Sequence, residues 1–134
     1  MSTAEISYLG NLRTSATHIR SGQQIITDAP LDNQGKGEAF SPTDLVSAAF
    51  VSCMLTVMGI AANTHHIDLS GMRATVSKHM ASDPRRISKL EVTLFFDKIY
   101  TEKEKSILER TARTCPVALS LHPDLVQAFS FNYA

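Results

Sequence analysis

The chain holds two cysteines, Cys53 in "AAFVSCMLTV" and Cys115 in "TCPVALSLHP". A pair of thiols can run a defined chemistry: a thiolate attacks an oxidant, becomes a sulfenic acid, and condenses with the second thiol to a disulfide. The same residues can also be inert, since free cysteine packs as a small hydrophobe and is often buried. The two stand 62 residues apart, which is no zinc-ligand spacing, so no metal is expected. Reactivity sets a further requirement. With an unperturbed thiol pKa near 8.5, only about 3% of the group is thiolate at pH 7, and an apolar surrounding lowers that fraction further. A reactive Cys53 therefore needs a cation beside it. Residues 42–62 around it contain no basic side chain, so the cation must come from elsewhere. Arginine is the best supplier, being always charged and offering forked donors. Arg13 and Arg20 near the N-terminus are the candidates by type.

Cys115 stands directly before Pro116, a residue suited to the first turn of a helix. That places the thiol at a helix cap, where the positive end of the dipole would lower its pKa. Arg110 and Arg113 lie just upstream. The alternative is that Cys115 is the last residue of an amphipathic face made by Ile107, Leu108, Thr111 and Ala112. The histidines add little. His65 and His66 adjoin each other, and His18, His79 and His122 are scattered, so no Cys–His dyad is visible and surface or capping roles are expected.

The elements that must hold the two thiols can be read in outline. "ISYLG", "SATHI" and "QQIIT" read as short strands, and residues 29–40, "APLDNQGKGEAF", as a turn-rich loop. Ser41, Pro42 and Asp44 form a helix start, with Asp44 three residues after the cap. The helix should run from Pro42 to about Ala62, with Cys53 on an apolar stripe of Leu45, Ala49, Cys53 and Val57. Residues 72–80 put Met72, Ala74 and Val76 on one strand face, and residues 88–97 do the same with Leu90, Val92, Leu94 and Phe96. "SDPR", residues 82–85, joins them as a hairpin. Thr101 and Glu104 make a second capping box before another helix, and a final strand carries Phe129, Phe131 and Tyr133 on one face. Strands, long apolar helix, hairpin, helix and strand make an α+β domain rather than a repeating βαβ fold. One small sheet cannot cover a helix apolar on nearly all sides, so a dimer is expected.

Composition narrows the class. The chain has 134 residues, 13 basic and 13 acidic, with no net charge; this length fits one domain, 1–134, and the charge balance gives no sign of a nucleic-acid partner. The polar start "MSTAEISYLGNLR" lacks the apolar run of a signal peptide. Two cysteines without that signal suggest a cytoplasmic setting, where thiols stay free unless they do chemistry. Residues 45–62, 18 residues without a charge, sit at the lower edge of a membrane span; the buried centre of a soluble fold is the simpler expectation.

The motifs "SPTDL", "AAFVSC" and "CPVALS", in that order, resemble the OsmC/Ohr family, the osmotically inducible protein C and organic hydroperoxide resistance proteins. The resemblance covers nearly the whole chain. It implies an OsmC-like α+β fold: small antiparallel sheets packed around a long buried central helix, in an intertwined homodimer. It also implies a thiol-dependent peroxidase acting on organic peroxides or hydrogen peroxide without a cofactor. Cys53 would attack the peroxide, Cys115 would close a disulfide with the sulfenate, and an external dithiol, lipoyl groups in some members, would reduce the pair. Arg13 matches the family's catalytic arginine best, with Arg20 as the alternative. In the hydroperoxide enzymes a glutamate directly after the helix-opening proline holds that arginine. Here the position is Thr43, with Asp44 one residue later and Glu38 in the preceding loop as possible support. The departure places the chain nearer the broad OsmC-like branch. The alternative function is a non-catalytic dimeric binding module for a small apolar ligand, its thiols idle.

Overall fold

Antiparallel alternation organises the first part of the chain. A computed structural model describes all residues, 1–134, as two compact units, Met1–Val46 and Ser47–Ala134. In the first, β1 (Ala4–Gly10), β2 (Arg13–His18) and β3 (Gln24–Asp28) form a three-stranded antiparallel sheet in sequence order. Arg13 opens β2 and stands opposite Asp28, the last residue of β3. After a single short turn of helix at Leu31–Asn33, the chain reaches the start of α1 (Pro42–His65). The expected cap is there: the Asp44 amide donates to Ser41 Oγ at 3.1 Å and the Ser41 amide donates to Asp44 Oδ2 at 3.0 Å. Two N–H groups at the helix start are thereby satisfied reciprocally.

No hydrophobic side chain of residues 1–46 is buried, whereas Ile6, Tyr8, Leu9, Leu12, Ile25 and Ile26 are each more than 40% exposed. The buried residues of this stretch are polar: Thr27, Asp28 and Ser41.

In the second unit, β4 (Arg73–Ala81) and β5 (Arg86–Phe95) form the expected hairpin, and β6 (Val126–Asn132) adds to β5. Leu90, Val92 and Leu94 alternate inward along β5, with Phe96 just beyond it, and meet Phe50, Met54, Met58 and Ala62 of α1 in one buried cluster. Phe50 touches Phe129 of β6 edge to face, with ring centroids 6.1 Å apart. Truncating a side chain of this size in such a core costs about 2–5 kcal/mol, so the Cys53-bearing helix is firmly held against the sheet. Between β5 and β6 lie α2 (Glu102–Arg113) and α3 (Pro116–Ser120). Thr101 and Glu104 make the predicted capping box on α2, with bonds of 3.2 and 2.9 Å.

Three readings need correction. The second sheet is mixed, not antiparallel throughout, because β6 runs parallel to β5; α2 and α3 carry the chain back to the starting edge, the long crossover that parallel neighbours require. The first helix runs past Ala62 to His65. His66 takes a left-handed conformation, φ 56°, and the Ile67 amide donates to the Ala62 carbonyl at 2.9 Å, a Schellman closure in which Ile67 and Ala62 both join the core. The stripe chosen on this helix is also not the buried one: Phe50, Met54, Met58 and Ala62 are buried, Cys53 and Val57 half-buried, and Ala49 exposed. A helix apolar all round carries no periodicity that selects a face, and the sheet makes the choice. By length and composition α1 could also cross a membrane, yet only 33% of its most apolar window is buried within the chain.

Candidate active site

α1 and the α2–α3 corner bring the two thiols together. Thr114 ends α2 with its amide donating to Thr111 O, and Cys115 then takes an extended conformation, φ −67° and ψ 151°, as the N-cap of α3. Pro116 fills the first helical position, where its missing N–H costs nothing. The Ala118 amide donates to Cys115 Sγ at 3.4 Å, and the Cys115 S–H donates to the Phe50 carbonyl of α1 at 3.9 Å. A further hold on α3 comes from Gln127 of β6, whose Nε2 donates to the Ala118 carbonyl at 2.9 Å. Phe50 lies three residues before Cys53 on α1. The Cys53 and Cys115 thiols are accordingly within hydrogen-bonding reach of each other.

The two differ in environment. Cys115 is fully buried, Cys53 half-buried, and both are free thiols. Burial pushes the Cys115 pKa up, the Ala118 amide pulls it down, and the neighbouring Cys53 adds to the rise; the net direction is upward. This corrects the expectation of a thiol made acidic by its cap. One turn of helix supplies the donor, but loss of water around the thiolate outweighs it. Arg113 does not offset that loss: its guanidinium stacks over the Phe129 and Phe131 rings at 4.8 and 5.4 Å.

Alkylation tests this asymmetry directly. Iodoacetamide on the folded, reduced protein near neutral pH should label Cys53 and leave Cys115 unmodified, as read by peptide mass mapping. Labelling of Cys115 should need higher pH or denaturant. Equal labelling of both at pH 7 would contradict the burial and the direction of the Cys115 shift.

The remaining sequence candidates lie in the 1–46 unit. Arg13 is half-buried at the start of β2, and Arg20 is exposed in the turn between β2 and β3. Glu38 is exposed, and its role in the structure is played by its backbone: the amide donates to Asp28 Oδ2 at 3.0 Å. Asp44 is occupied with the helix cap. The Thr43 hydroxyl lies 3.3 Å from that of Ser41. Sequence reasoning missed one participant: the Phe50 carbonyl, which accepts the Cys115 hydrogen bond, carries no sequence signal because every residue has one. No group of three or more His, Cys, Asp or Glu is arranged to hold a metal ion. His79 pairs instead with Glu91 on the outer face of β4 and β5, and His122 Nδ1 accepts the Asp124 amide.

With this geometry in hand, the chain can be set beside known proteins. The family model described as OsmC-like protein matches residues 35–127. Among solved structures, a Psychrobacter arcticus protein described as an osmotic stress induced and detoxification response protein is 51% identical. The match covers 98% of this chain and 96% of that one, with a TM-score of 0.94. An OsmC-like protein of Mycoplasma pneumoniae matches at 14% identity, TM-score 0.82, over 98% and 95% of the two chains. An organic hydroperoxide resistance protein of Legionella pneumophila matches at 17% identity, TM-score 0.74, over 98% of each chain. These last two likenesses concern the fold alone. No curated protein matches the sequence.

Proposed function

Because the chain belongs to the OsmC-like family, we propose that it is a thiol-dependent peroxidase of the cytoplasm that reduces organic hydroperoxides or hydrogen peroxide. The observation that carries this reading is the unequal thiol pair: one accessible on the central helix, the other buried beside it and hydrogen-bonded to that helix's backbone. Such a pair suits a division of labour. The Cys53 thiolate attacks the terminal peroxide oxygen, giving a sulfenic acid and an alcohol. Cys115 then displaces hydroxide from that sulfur to form a disulfide, and an external dithiol, lipoyl groups among the options, restores both thiols. The cation that a reactive Cys53 requires is assigned to Arg13, as the family resemblance implies. The detoxification description of the Psychrobacter protein and the hydroperoxide resistance named for the Legionella protein point the same way.

The direct test is stoichiometry. Reduced protein treated with cumene hydroperoxide should lose both thiols per peroxide consumed and regain both with dihydrolipoamide. Unchanged thiol content would favour a binding module with idle cysteines.

The active form is a homodimer in this reading. Two observations support it: the apolar side chains exposed in the 1–46 unit, and the apolar window of α1, of which only 33% is buried within the chain while Ala49 and Ile60 stand exposed. Analytical ultracentrifugation at micromolar concentration should give about twice the chain mass, as burial of exposed apolar area drives association. A well-folded monomer would refute it.

A further inference from the structure

Reduction of an alkyl hydroperoxide leaves a problem that the thiolate attack does not solve. The departing alkoxide is a far stronger base than any thiolate and needs a proton as the O–O bond breaks, a step in which a positioned acid typically contributes about 10²–10⁴-fold. Three of the segments that share the core cluster with the thiols carry no acid, and the charged side chains of α2 and β5 are not members of that cluster. Residues 45–64 of α1, all of α3 and all of β6 contain no Asp, Glu, His, Lys, Arg or Tyr. Tyr133 just beyond β6 has its hydroxyl committed to Glu109 at 2.7 Å. A group with a transferable proton that does interact with Cys53 is the Cys115 thiol. It is fully buried, and its S–H, a weak donor, makes only a long contact of 3.9 Å with the Phe50 carbonyl.

The geometry points to a second role for Cys115, resting on the peroxidase reading above: it is the general acid that protonates the leaving alkoxide before it acts as the resolving thiol. The balance closes. The Cys53 thiolate attacks the terminal oxygen of ROOH; the S–O bond forms, the O–O bond breaks, and RO⁻ leaves with the electron pair. Cys115 gives its proton to RO⁻, yielding ROH and a Cys115 thiolate. That thiolate attacks the sulfur of Cys53–SOH; the S–S bond forms, the S–O bond breaks, and hydroxide leaves. Two sulfurs share a two-electron oxidation, and one peroxide is reduced. The proton given up in the first step makes the nucleophile needed in the second. Burial that raises the Cys115 pKa keeps the acid loaded at neutral pH, while transfer to an alkoxide remains strongly downhill.

The test uses leaving groups. Cumene hydroperoxide releases an alkoxide that needs the proton; peracetic acid releases acetate, which does not. The first oxidation of Cys53 is followed by stopped flow in single turnover without reductant, with the sulfenic acid trapped by dimedone. In Cys115→Ser this step should slow by about 10²-fold with cumene hydroperoxide and stay within about twofold of wild type with peracetic acid. Serine is a better helix cap than cysteine, so the variant should fold, and Cys115→Ala, run in parallel, should show the same selectivity. Equal slowing with both oxidants would show that Cys115 acts on Cys53 by packing alone and would overturn the proposal. So would no slowing with either. If wild-type Cys53 is oxidised by neither oxidant, the peroxidase reading itself fails and the inference falls with it, an outcome distinct from the other two.

Discussion

Replacing Cys53 by serine is expected to reduce peroxide consumption to roughly a hundredth of wild type or less, because a hydroxyl does not ionise near neutrality and cannot serve as the nucleophile. The Cys115→Ser variant should behave differently. It retains the attacking thiol, so each chain should be oxidised once and then stall, as a sulfenic acid or, with excess peroxide, a sulfinic acid. Wild type treated in the same way should lose two hydrogens, about 2 Da by intact mass, and recover them with dithiothreitol. The placement of Cys115 makes the disulfide easy to picture: its sulfur is anchored to the backbone of α1 within one turn of Cys53. Closure requires Cα atoms within roughly 4.4–6.8 Å. Reduced protein must also stay folded, since both cysteines are free in the structure. If Cys115→Ser turned over like wild type, that cysteine would be a packing residue and the two-thiol mechanism would be wrong.

The second large effect concerns Arg13. Removing its guanidinium should raise the Cys53 pKa and slow its oxidation at neutral pH at least tenfold, about 1.4 kcal/mol. Cys53 needs a positive charge that its own helix segment does not supply. Lowering a thiol pKa by about two units takes roughly 2.7 kcal/mol of preferential stabilisation of the thiolate, and residues 45–64 hold no positive charge. Arg13 sits on a strand, in register opposite the buried Asp28, whereas Arg20 sits exposed in a turn. A strand position is the more defined place from which to present a charge. The measurement is a titration of thiolate absorbance in Arg13→Ala and Arg20→Ala, each with Cys115 replaced by serine so that one thiol is observed. A shift in the Arg20 variant alone would move the role to Arg20 and keep the mechanism. No shift in either would remove the arginine from the activation model.

Alternation and capping were legible in the sequence because they are local. Leu90, Val92, Leu94 and Phe96 specify their face by a period of two, and Ser41–Asp44 and Thr101–Glu104 specify helix starts by side chains that reach their own backbone. The position of Cys115 as the cap before Pro116 was likewise readable from two adjacent residues. Tertiary structure decided what those local rules leave open. On a helix apolar all round, only the sheet packed against it determined that Phe50, Met54 and Met58 turn inward and Cys53 stays half-exposed. The direction of β6 depended on how α2 and α3 return the chain. The sign of the Cys115 shift depended on a balance of desolvation and the neighbouring Cys53 against the Ala118 and Val117 amides, and desolvation is a property of everything packed around a residue, not of its neighbours in sequence.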